Sequence, residues 1–284
     1  MNAQNQKSVV LIAGPTASGK SGLALKIAAA RGGVIINADS MQVYGALRLL
    51  TARPSIADEA RVPHRLYGHV GGDSYSVARW LDEAQDEIKN AHEAGKLPIL
   101  CGGTGLYFKA IEQGLAELPA IPDEIRKHWR GFAGDLHAEL ELRDRQGAAL
   151  LNPADRQRLV RALEVLEATG KPLRQWQAEA KATSALSGFA VDRHYVDLPR
   201  AELYSRADAR FDQMMEQGAL EEVKNLPPLP PDHPLTKAIG LRELEAHLRG
   251  EIALADAITL AKTATRHYIK RQSTWWRGQM KDWR

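Results

Sequence analysis

The chain has 284 residues, of which 44% are hydrophobic and 26% are charged. These values are typical of a globular protein with one large or two modest domains, and they exclude a largely disordered or collagen-like chain. The formal net charge is only +3, but seven Lys or Arg and one acid fall between residues 262 and 284. Such a basic tail is typical of a surface that binds a polyanion.

The cysteine count and the hydropathy pattern indicate where the protein works. Cys101 is the only cysteine, which excludes an intrachain disulfide and a cysteine-rich zinc site. We therefore expect a reducing compartment, the cytoplasm. No apolar stretch approaches the roughly 20 residues that span a bilayer, so we expect no membrane association and no secretion.

Strand and helix patterns alternate along the first third of the chain. Short apolar runs bounded by glycine or proline predict buried strands, at residues 8–13, 34–36 and 97–101. Longer amphipathic runs predict helices, at residues 18–30 and 77–94. A further strand is predicted at residues 193–198. Strands that alternate with helices predict an α/β fold, in which helices cover both faces of a parallel sheet.

Residues 113–192 interrupt this alternation with charged helical patterns and no convincing buried strand. The clearest helix is predicted to begin with Asn152 as its N-cap and to end at Gly170. Arg158 and Arg161 lie off its apolar stripe. We therefore predict an inserted all-helical domain. The α/β core is then made of the remaining residues, 1–112 and 193–284.

The segment between the first strand and the first helix matches the phosphate-binding motif G-x-x-x-x-G-K-[ST] at every fixed position. It consists of Gly14, Pro15, Thr16, Ala17, Ser18, Gly19, Lys20 and Ser21. Backbone amides and the helix N-terminus bind phosphate oxygens in such a P-loop, Lys20 adds a positive charge, and Ser21 can bind Mg²⁺. The motif predicts diphosphate binding, but it leaves open whether a phosphorus–oxygen or a carbon–oxygen bond is broken.

Polar side chains follow two of the other predicted strands. Asp39 follows the second strand, where a carboxylate can act as a general base, form a turn or cap, or support a magnesium ion from outside its ligand shell. Thr104 follows the strand at 97–101, where a plain helix N-cap is the favoured alternative. The carboxyl ends of parallel strands meet at one edge of a sheet, so both residues are expected near the P-loop.

Two arginines four residues apart form another candidate anion site. Arg206 and Arg210 share one face of a predicted helix and could clamp a diphosphate. A solvated face with Asp208 and Asp212 is the commoner meaning of such a pattern. Both interpretations stay open at this point.

The basic tail also carries Trp275 and Trp276 among its cations. Flat rings beside positive charges suit phosphates and unstacked bases. Adjacent tryptophans are more often core residues, which is the favoured interpretation from composition alone.

Further motifs follow the P-loop in a fixed order. They are ADSMQVY at 38–44, TARP at 51–54, PHR at 63–65, GGTGLYFKA at 102–110, RQRLVRALEV at 156–165, GKP at 170–172, ARF at 209–211, KAIGLRE at 237–243 and KRQSTWWRG at 270–278. In this order and number they resemble the bacterial tRNA dimethylallyltransferase family, also called tRNA isopentenyltransferases. The resemblance covers nearly the whole chain.

The resemblance implies a P-loop kinase-like core whose helical insertion grips the anticodon stem-loop of tRNA. It implies transfer of a dimethylallyl group from dimethylallyl diphosphate to the exocyclic N6 amine of the adenosine 3′-adjacent to the anticodon, position 37. The tRNAs are those that read codons beginning with U, and diphosphate is released. Mg²⁺ is the implied cofactor, and we expect a monomer.

The resemblance also assigns roles to matching positions. Asp39 takes the amine proton, Arg210 steadies the leaving diphosphate, and Thr104 completes the catalytic set. The P-loop holds the diphosphate, with Ser21 as the metal ligand. The positions implied to contact tRNA are Asp39, Ser40, Met41, Gln42, Thr104, Arg126, Gln157, Arg158, Leu159, Val160, Arg161, Lys237, Ala238, Ile239, Gly240, Leu241 and Arg242.

Three positions depart from the family pattern. Ser21 stands where Thr is common and keeps the hydroxyl. Leu50 stands before Thr51 where Gly is usual, which affects local loop geometry. Gly105 stands where a larger apolar residue often occurs, which could loosen the acceptor channel.

Three other functions share some of these features. A small-molecule kinase would use Asp39 to activate a hydroxyl, with Arg206 and Arg210 as lid residues. A noncatalytic, nucleotide-gated RNA-binding protein would need no base. A prenyltransferase for free adenine nucleotides would need neither the basic tail nor the insertion, so these two features argue against it.

Overall fold

The computed structural model describes residues 7–72, 75–180, 183–230 and 233–283. Its strands form one five-stranded sheet in the order β3-β2-β4-β1-β5. Their bounds are β1 (Ser8–Ala13), β2 (Gly33–Asn37), β3 (His64–Arg65), β4 (Leu97–Gly102) and β5 (Ala190–Tyr195). Every neighbouring pair is parallel. The predicted α/β fold with a parallel sheet is confirmed.

Helices connect these strands and make up most of the remaining chain. Their bounds are α1 (Lys20–Arg31), α2 (Ile56–Arg61), α3 (Val77–Glu93), α4 (Gly105–Gln113), α5 (Asp123–Gly131), α6 (Leu136–Arg143), α7 (Arg145–Ala148), α8 (Arg156–Thr169), α9 (Leu173–Glu179), α10 (Arg200–Glu216), α11 (Ala219–Lys224), α12 (Leu241–Leu248) and α13 (Leu254–Gln279). None of those in the described residues combines the length and apolarity needed to cross a bilayer.

The chain divides into two compact units. One unit consists of Met1–Glu112 and Ser184–Arg284, and the other of Gln113–Thr183. The second unit ends at Thr183, earlier than the predicted boundary at residue 192. The reason is that Ala185, Leu186 and Phe189 already pack in the core of the first unit, and that β5 begins at Ala190 rather than at residue 193. It is an edge strand with a half-exposed face, so its apolar signal is weak.

The three central strands of this sheet, β1, β2 and β4, are buried on both faces. Side chains of β1 alternate between them, since successive residues of a strand point to opposite faces. Val10 and Ile12 pack with α1, whereas Val9 and Leu11 pack with α3, α4 and Trp276 of α13. Trp276 is only 1% exposed, so the core interpretation is correct for this tryptophan.

The second unit consists of α5 to α9 within its described residues, with Trp129 and Leu163 in its core. The prediction that α8 begins at Asn152 is wrong. Asp155 is the N-cap and accepts the Arg158 N–H, so α8 begins at Arg156. The Asn152 side chain instead accepts the N–H of Ala154 in the preceding turn. The predicted end at Gly170 is confirmed, with φ 66° at that glycine.

Candidate active site

The P-loop joins the end of β1 to the start of α1. Gly19, the N-cap of α1, has φ 94°, a left-handed conformation that favours glycine. No side chain of the described residues caps this helix, so its first amides stay available to an anion. Lys20 folds back over the loop and donates from Nζ to the carbonyl oxygen of Pro15 at 3.2 Å.

A buried hydroxyl inside the loop lacks a protein partner. The Ser18 side chain is 3% exposed, and its Oγ makes no hydrogen bond with the described residues. Leaving a buried polar atom unpaired costs roughly 1–3 kcal/mol, which a ligand oxygen would offset. The loop therefore has the form of an anion cradle.

The Asp39 carboxylate lies just beyond the end of β2, on a turn that Asn37 fixes. Asn37 accepts the Asp39 N–H at 2.8 Å and donates to the Asp39 carbonyl oxygen at 2.9 Å. One carboxylate oxygen of Asp39, Oδ1, accepts the N–H of Met41 at 3.0 Å. The other oxygen, Oδ2, would lie 3.5 Å from a Cβ at Gly103 and accepts no hydrogen bond from the described residues. Asp39 thus forms the turn and also retains an oxygen for a proton.

Thr104 connects the loops that follow β2 and β4. Its Oγ1 accepts the N–H of Ser40 at 2.9 Å, and its own N–H donates to the Ala38 carbonyl oxygen at 3.2 Å. The two loops approach so closely that a Cβ at Gly102 would lie 2.0 Å from that oxygen. The Thr104 side chain therefore positions the Asp39 loop rather than capping α4.

Two cations share the electrostatic environment of Asp39. Burial lowers the pKa of Lys20, and the nearby Asp39 carboxylate partly reverses that shift. Burial likewise lowers the pKa of Arg210, again against the attraction of Asp39. Each cation therefore interacts with the same carboxylate. A diphosphate would supply the negative charge that the cluster lacks.

The ion pairs of the acidic neighbours of Arg210 contradict the interpretation that this part of α10 is simply a solvated helix face. Asp208 pairs with Arg266 and Asp212 pairs with Lys262, both on α13. Arg210 itself is half-buried and makes no ion pair within the described residues. Arg206 pairs with Glu202 at 2.6 Å, and its guanidinium lies 3.9 Å from the position of a Cβ at Gly19.

Comparison with known proteins identifies the family. Residues 42–279 match the family model described as IPP transferase, and residues 7–71 match one described as isopentenyl transferase. The tRNA dimethylallyltransferase of Azorhizobium caulinodans is 54% identical over 282 residues, covering 96% of this chain and 90% of that protein. The chain belongs to the IPP transferase family.

Solved structures agree with this assignment. A eukaryotic dimethylallyltransferase, captured in crystallographic snapshots acting on tRNA, is 30% identical with a TM-score of 0.81, over 95% of this chain and 70% of that one. The full-length tRNA isopentenylpyrophosphate transferase of Bacillus halodurans is 32% identical with a TM-score of 0.66. That similarity covers 97% of this chain and 88% of the other. The resemblance in sequence is therefore confirmed in structure.

In this IPP transferase, the predicted tRNA contacts of the first unit lie in two segments. Residues 39–42 carry half-buried side chains beside Thr104. In residues 237–242, Lys237 and Arg242 are exposed, whereas Ala238 and Leu241 are buried in the core. Those last two side chains pack in the core, and the RNA contacts of the segment stay predictions.

The second unit carries the remaining predicted contacts. Arg126, Gln157, Arg158 and Arg161 are half-buried or exposed. Leu159 and Val160 instead belong to the core of this unit. They lie in the buried stripe of α8, and the RNA contacts predicted for this helix stay predictions.

The departure at Leu50 concerns the core as well as the loop. Leu50 is buried and packs with Phe211. A Cβ at Gly240 would lie 3.1 Å from the Leu50 side chain and 3.0 Å from the Phe211 ring. The larger residue at position 50 therefore fits because its neighbour Gly240 has no side chain. Gly240 also has a φ of 92°, a left-handed conformation that favours glycine.

At Gly105, where the family often has a larger apolar residue, the ring of Trp275 fills the space next to the glycine. A Cβ at Gly105 would lie 2.1 Å from the Trp275 ring, closer than atoms can approach. The tryptophan on α13 thus occupies the space that a side chain on α4 would take, and the absence of a side chain does not leave an open channel.

This contact predicts the effect of Gly105→Ala. We expect the free energy of unfolding to fall by about 1–3 kcal/mol, the usual cost of overpacking, when measured by urea titration. Gly278→Ala is the matched control, because a Cβ there meets nothing within 4 Å on the same helix as Trp275. The control should gain roughly 0.5–1 kcal/mol from helix propensity. Equal stability of Gly105→Ala and the wild type would contradict the contact.

Sequence reasoning missed two buried polar residues of the site, Asn37 and Gln272. Asn37 ends β2 fully buried and holds the Asp39 turn. Gln272 accepts the Thr16 N–H and is 6% exposed. Each had a signal, because a polar side chain within an apolar buried pattern needs a hydrogen-bond partner nearby.

Proposed function

We propose that this IPP transferase transfers a dimethylallyl group from dimethylallyl diphosphate to the N6 amine of the adenosine 3′-adjacent to the anticodon in tRNA. The tRNAs are those that read codons beginning with U. The observation that carries the proposal is the meeting of an anion cradle and a carboxylate at one edge of the sheet, in a chain 54% identical to a tRNA dimethylallyltransferase.

The donor side holds the diphosphate. The loop amides, the N-terminus of α1 and Lys20 bind its oxygens, and the Ser18 hydroxyl gains the partner it lacks. Arg210 stabilises the negative charge that grows on the leaving group. Since the allylic carbon spreads its positive charge over the double bond, stabilising the leaving diphosphate is the main task of the protein.

Ser21 fits a magnesium ion. Its side chain is exposed at the start of α1, and Mg²⁺ commonly binds through one or two protein oxygens together with substrate phosphates and waters. When bound, the ion would neutralise charge on the diphosphate. The divalent metal and Ser21 as its ligand are proposals from the family and from this geometry.

The acceptor side activates the amine. The N6 nitrogen forms a bond to C1 of the dimethylallyl group while the bond between C1 and the diphosphate oxygen breaks. The nitrogen loses one proton, which Asp39 accepts on Oδ2, and the diphosphate leaves with the electron pair. Thr104 keeps the Asp39 loop in place through Ser40.

The target adenine must leave the stack of the anticodon loop to reach this site. We propose that the exposed and half-buried predicted residues of both units hold the RNA around it. The helical second unit would grip the anticodon stem-loop through phosphate contacts, which carry most of the affinity for RNA. The monomeric state and the cytoplasmic location stay predictions from the sequence.

The phosphate contacts predict the effect of replacing Arg158 and Arg161 by glutamine together. We expect weaker tRNA binding. We also expect the slope of the logarithm of the binding constant against the logarithm of the salt concentration to fall in magnitude by about 2, because roughly one counterion is released per phosphate contact. Filter binding over a series of salt concentrations measures both quantities.

The double variant does not leave a buried carboxylate without a partner. Glu164 is buried and pairs with Arg161, but it also pairs with Arg130, whose Nε lies 3.4 Å from Glu164 Oε1. Arg145→Gln is the control, an exposed arginine of the same unit with no predicted contact. An unchanged salt slope in the double variant would remove the second unit from the proposed interface.

Transfer of labelled dimethylallyl from its diphosphate to unmodified tRNA, with Mg²⁺, tests the function itself. Label in the tRNA, lost when the target adenosine is replaced by guanosine, is expected. Label in adenosine monophosphate instead would indicate a nucleotide prenyltransferase. ATP turnover with a small hydroxyl acceptor would indicate a kinase, and tRNA binding without any product would indicate an RNA-binding protein.

A further inference from the structure

A buried glutamine on α13 joins the two halves of the active site. Gln272 Oε1 accepts the N–H of Thr16 in the P-loop at 2.9 Å. Its Nε2 donates to the carbonyl oxygen of Gly103, in the loop after β4, at 3.0 Å. One side chain therefore spans from the donor cradle to the loop that carries Thr104.

The geometry allows this side chain a single orientation. The amide of glutamine has a distinct donor end and acceptor end, and the two partners are a backbone N–H and a backbone carbonyl. Rotation of the amide by 180° would place two donors together and two acceptors together. Because Gln272 is 6% exposed, water does not compensate such an error. The separation of the two loops is thus fixed by the length of one rigid group.

Both partner loops face the reacting groups. Gly103 lies under the Asp39 carboxylate, since a Cβ on this glycine would be 3.5 Å from Oδ2 and 2.4 Å from Gln272 Nε2. Tyr268 lies one turn earlier on α13, beside Gln272, and its pKa is raised by burial and by the charge of Asp39. The contacts of Gln272 therefore lead on one side to the diphosphate and on the other to the base.

We propose that Gln272 is a positioning residue that sets the distance between the diphosphate cradle and the acceptor amine, an inference that rests on the proposed function. It touches neither substrate. Its effect is exerted through the Thr16 amide and the Gly103 carbonyl, and Tyr268 supports it from the preceding turn of α13.

Correct spacing decides which nucleophile captures the dimethylallyl carbon. When the amine is misplaced, water can attack C1 instead. The new bond then joins the water oxygen to C1, the diphosphate leaves with the electron pair of the broken carbon–oxygen bond, and the water releases one proton to the solvent. The products are dimethylallyl alcohol and diphosphate. A loosened spacing should therefore raise the share of alcohol among the products of each turnover.

The test replaces Gln272 by methionine, which keeps the length of the side chain and removes both hydrogen bonds. Labelled dimethylallyl diphosphate is incubated with tRNA and Mg²⁺, and prenylated tRNA and alcohol are counted separately. We expect turnover to tRNA to fall by about 10- to 100-fold, tRNA affinity to stay unchanged, and the alcohol share to rise several-fold. The ratio of products is independent of the fraction of folded enzyme, so a loss of stability alone would not move it.

Two further variants complete the experiment. Tyr268→Phe keeps the ring and removes the hydroxyl beside Gln272, and it should raise the alcohol share by a smaller factor. Gln279→Met is the control, an exposed glutamine at the end of the same helix that accepts a hydrogen bond from Lys109. It should match the wild type in both turnover and product ratio.

The outcomes separate this inference from the function on which it rests. If the wild type prenylates tRNA and Gln272→Met keeps the wild-type product ratio, the positioning role is wrong. A loss of turnover explained entirely by weaker tRNA binding would also overturn it and would make Gln272 an RNA contact. A wild type that forms no prenylated tRNA would overturn the proposed function and the inference together.

Discussion

Replacing Asp39 by asparagine should lower the turnover of dimethylallyl transfer by roughly 10²- to 10⁴-fold, the usual contribution of a general base. The asparagine side chain keeps an oxygen for the Met41 N–H, so the turn after β2 survives. The substitution removes the capacity of Oδ2 to accept a proton, together with the negative charge that Lys20 and Arg210 face. Steady-state transfer of labelled dimethylallyl to tRNA, with tRNA affinity measured in parallel, provides the readout.

Two companion variants show what each atom contributes. Asp39→Ala also removes the contact to Met41 and should additionally disturb the half-buried residues 40–42. Asp86→Asn, an exposed acid on α3, should leave turnover unchanged. Wild-type turnover in Asp39→Asn would show that another group or water takes the proton, and Asp39 would then serve the turn alone.

The fold was predictable from the sequence where burial is two-sided. The strand predicted at residues 8–13 coincides with β1, because every position from Val9 to Ala13 faces a covered side of the sheet. The pattern fails at the edges. β3 has only two residues, too few for a periodicity, and the exposed face of β5 displaced its predicted start by three residues.

Some residues of the site could be predicted from the sequence, whereas others are brought to the site only by tertiary packing. The P-loop, Asp39 and Thr104 follow strands directly, so their place at one edge of the sheet follows from topology. Gln272 lies 256 positions after its partner Thr16, and only the folded chain shows that α13 reaches the cradle. Likewise, the pairing of Asp208 and Asp212 with α13, which separates Arg210 from its neighbours, depends on tertiary packing.

Lys20→Met should weaken the use of the donor by about 10²- to 10³-fold in kcat/KM, which is the scale expected when one charged donor to a developing negative charge is removed. Lys20 folds over the P-loop, and it is one of the two cations in the electrostatic environment of Asp39. Methionine fills a similar volume, so the loop keeps its packing while the charge disappears.

The pH dependence of donor binding gives this prediction a second readout. Burial lowers the pKa of Lys20, so the fraction of charged lysine falls as pH rises through that depressed value. Donor affinity should therefore decline toward alkaline pH in the wild type, and the decline should be absent in Lys20→Met. Lys26→Met, on the exposed face of α1, is the control and should retain the wild-type profile. If Lys20→Met kept both the wild-type kcat/KM and its decline with pH, the diphosphate would have to bind away from the P-loop. The carboxylate and the donor could then no longer meet at this edge of the sheet.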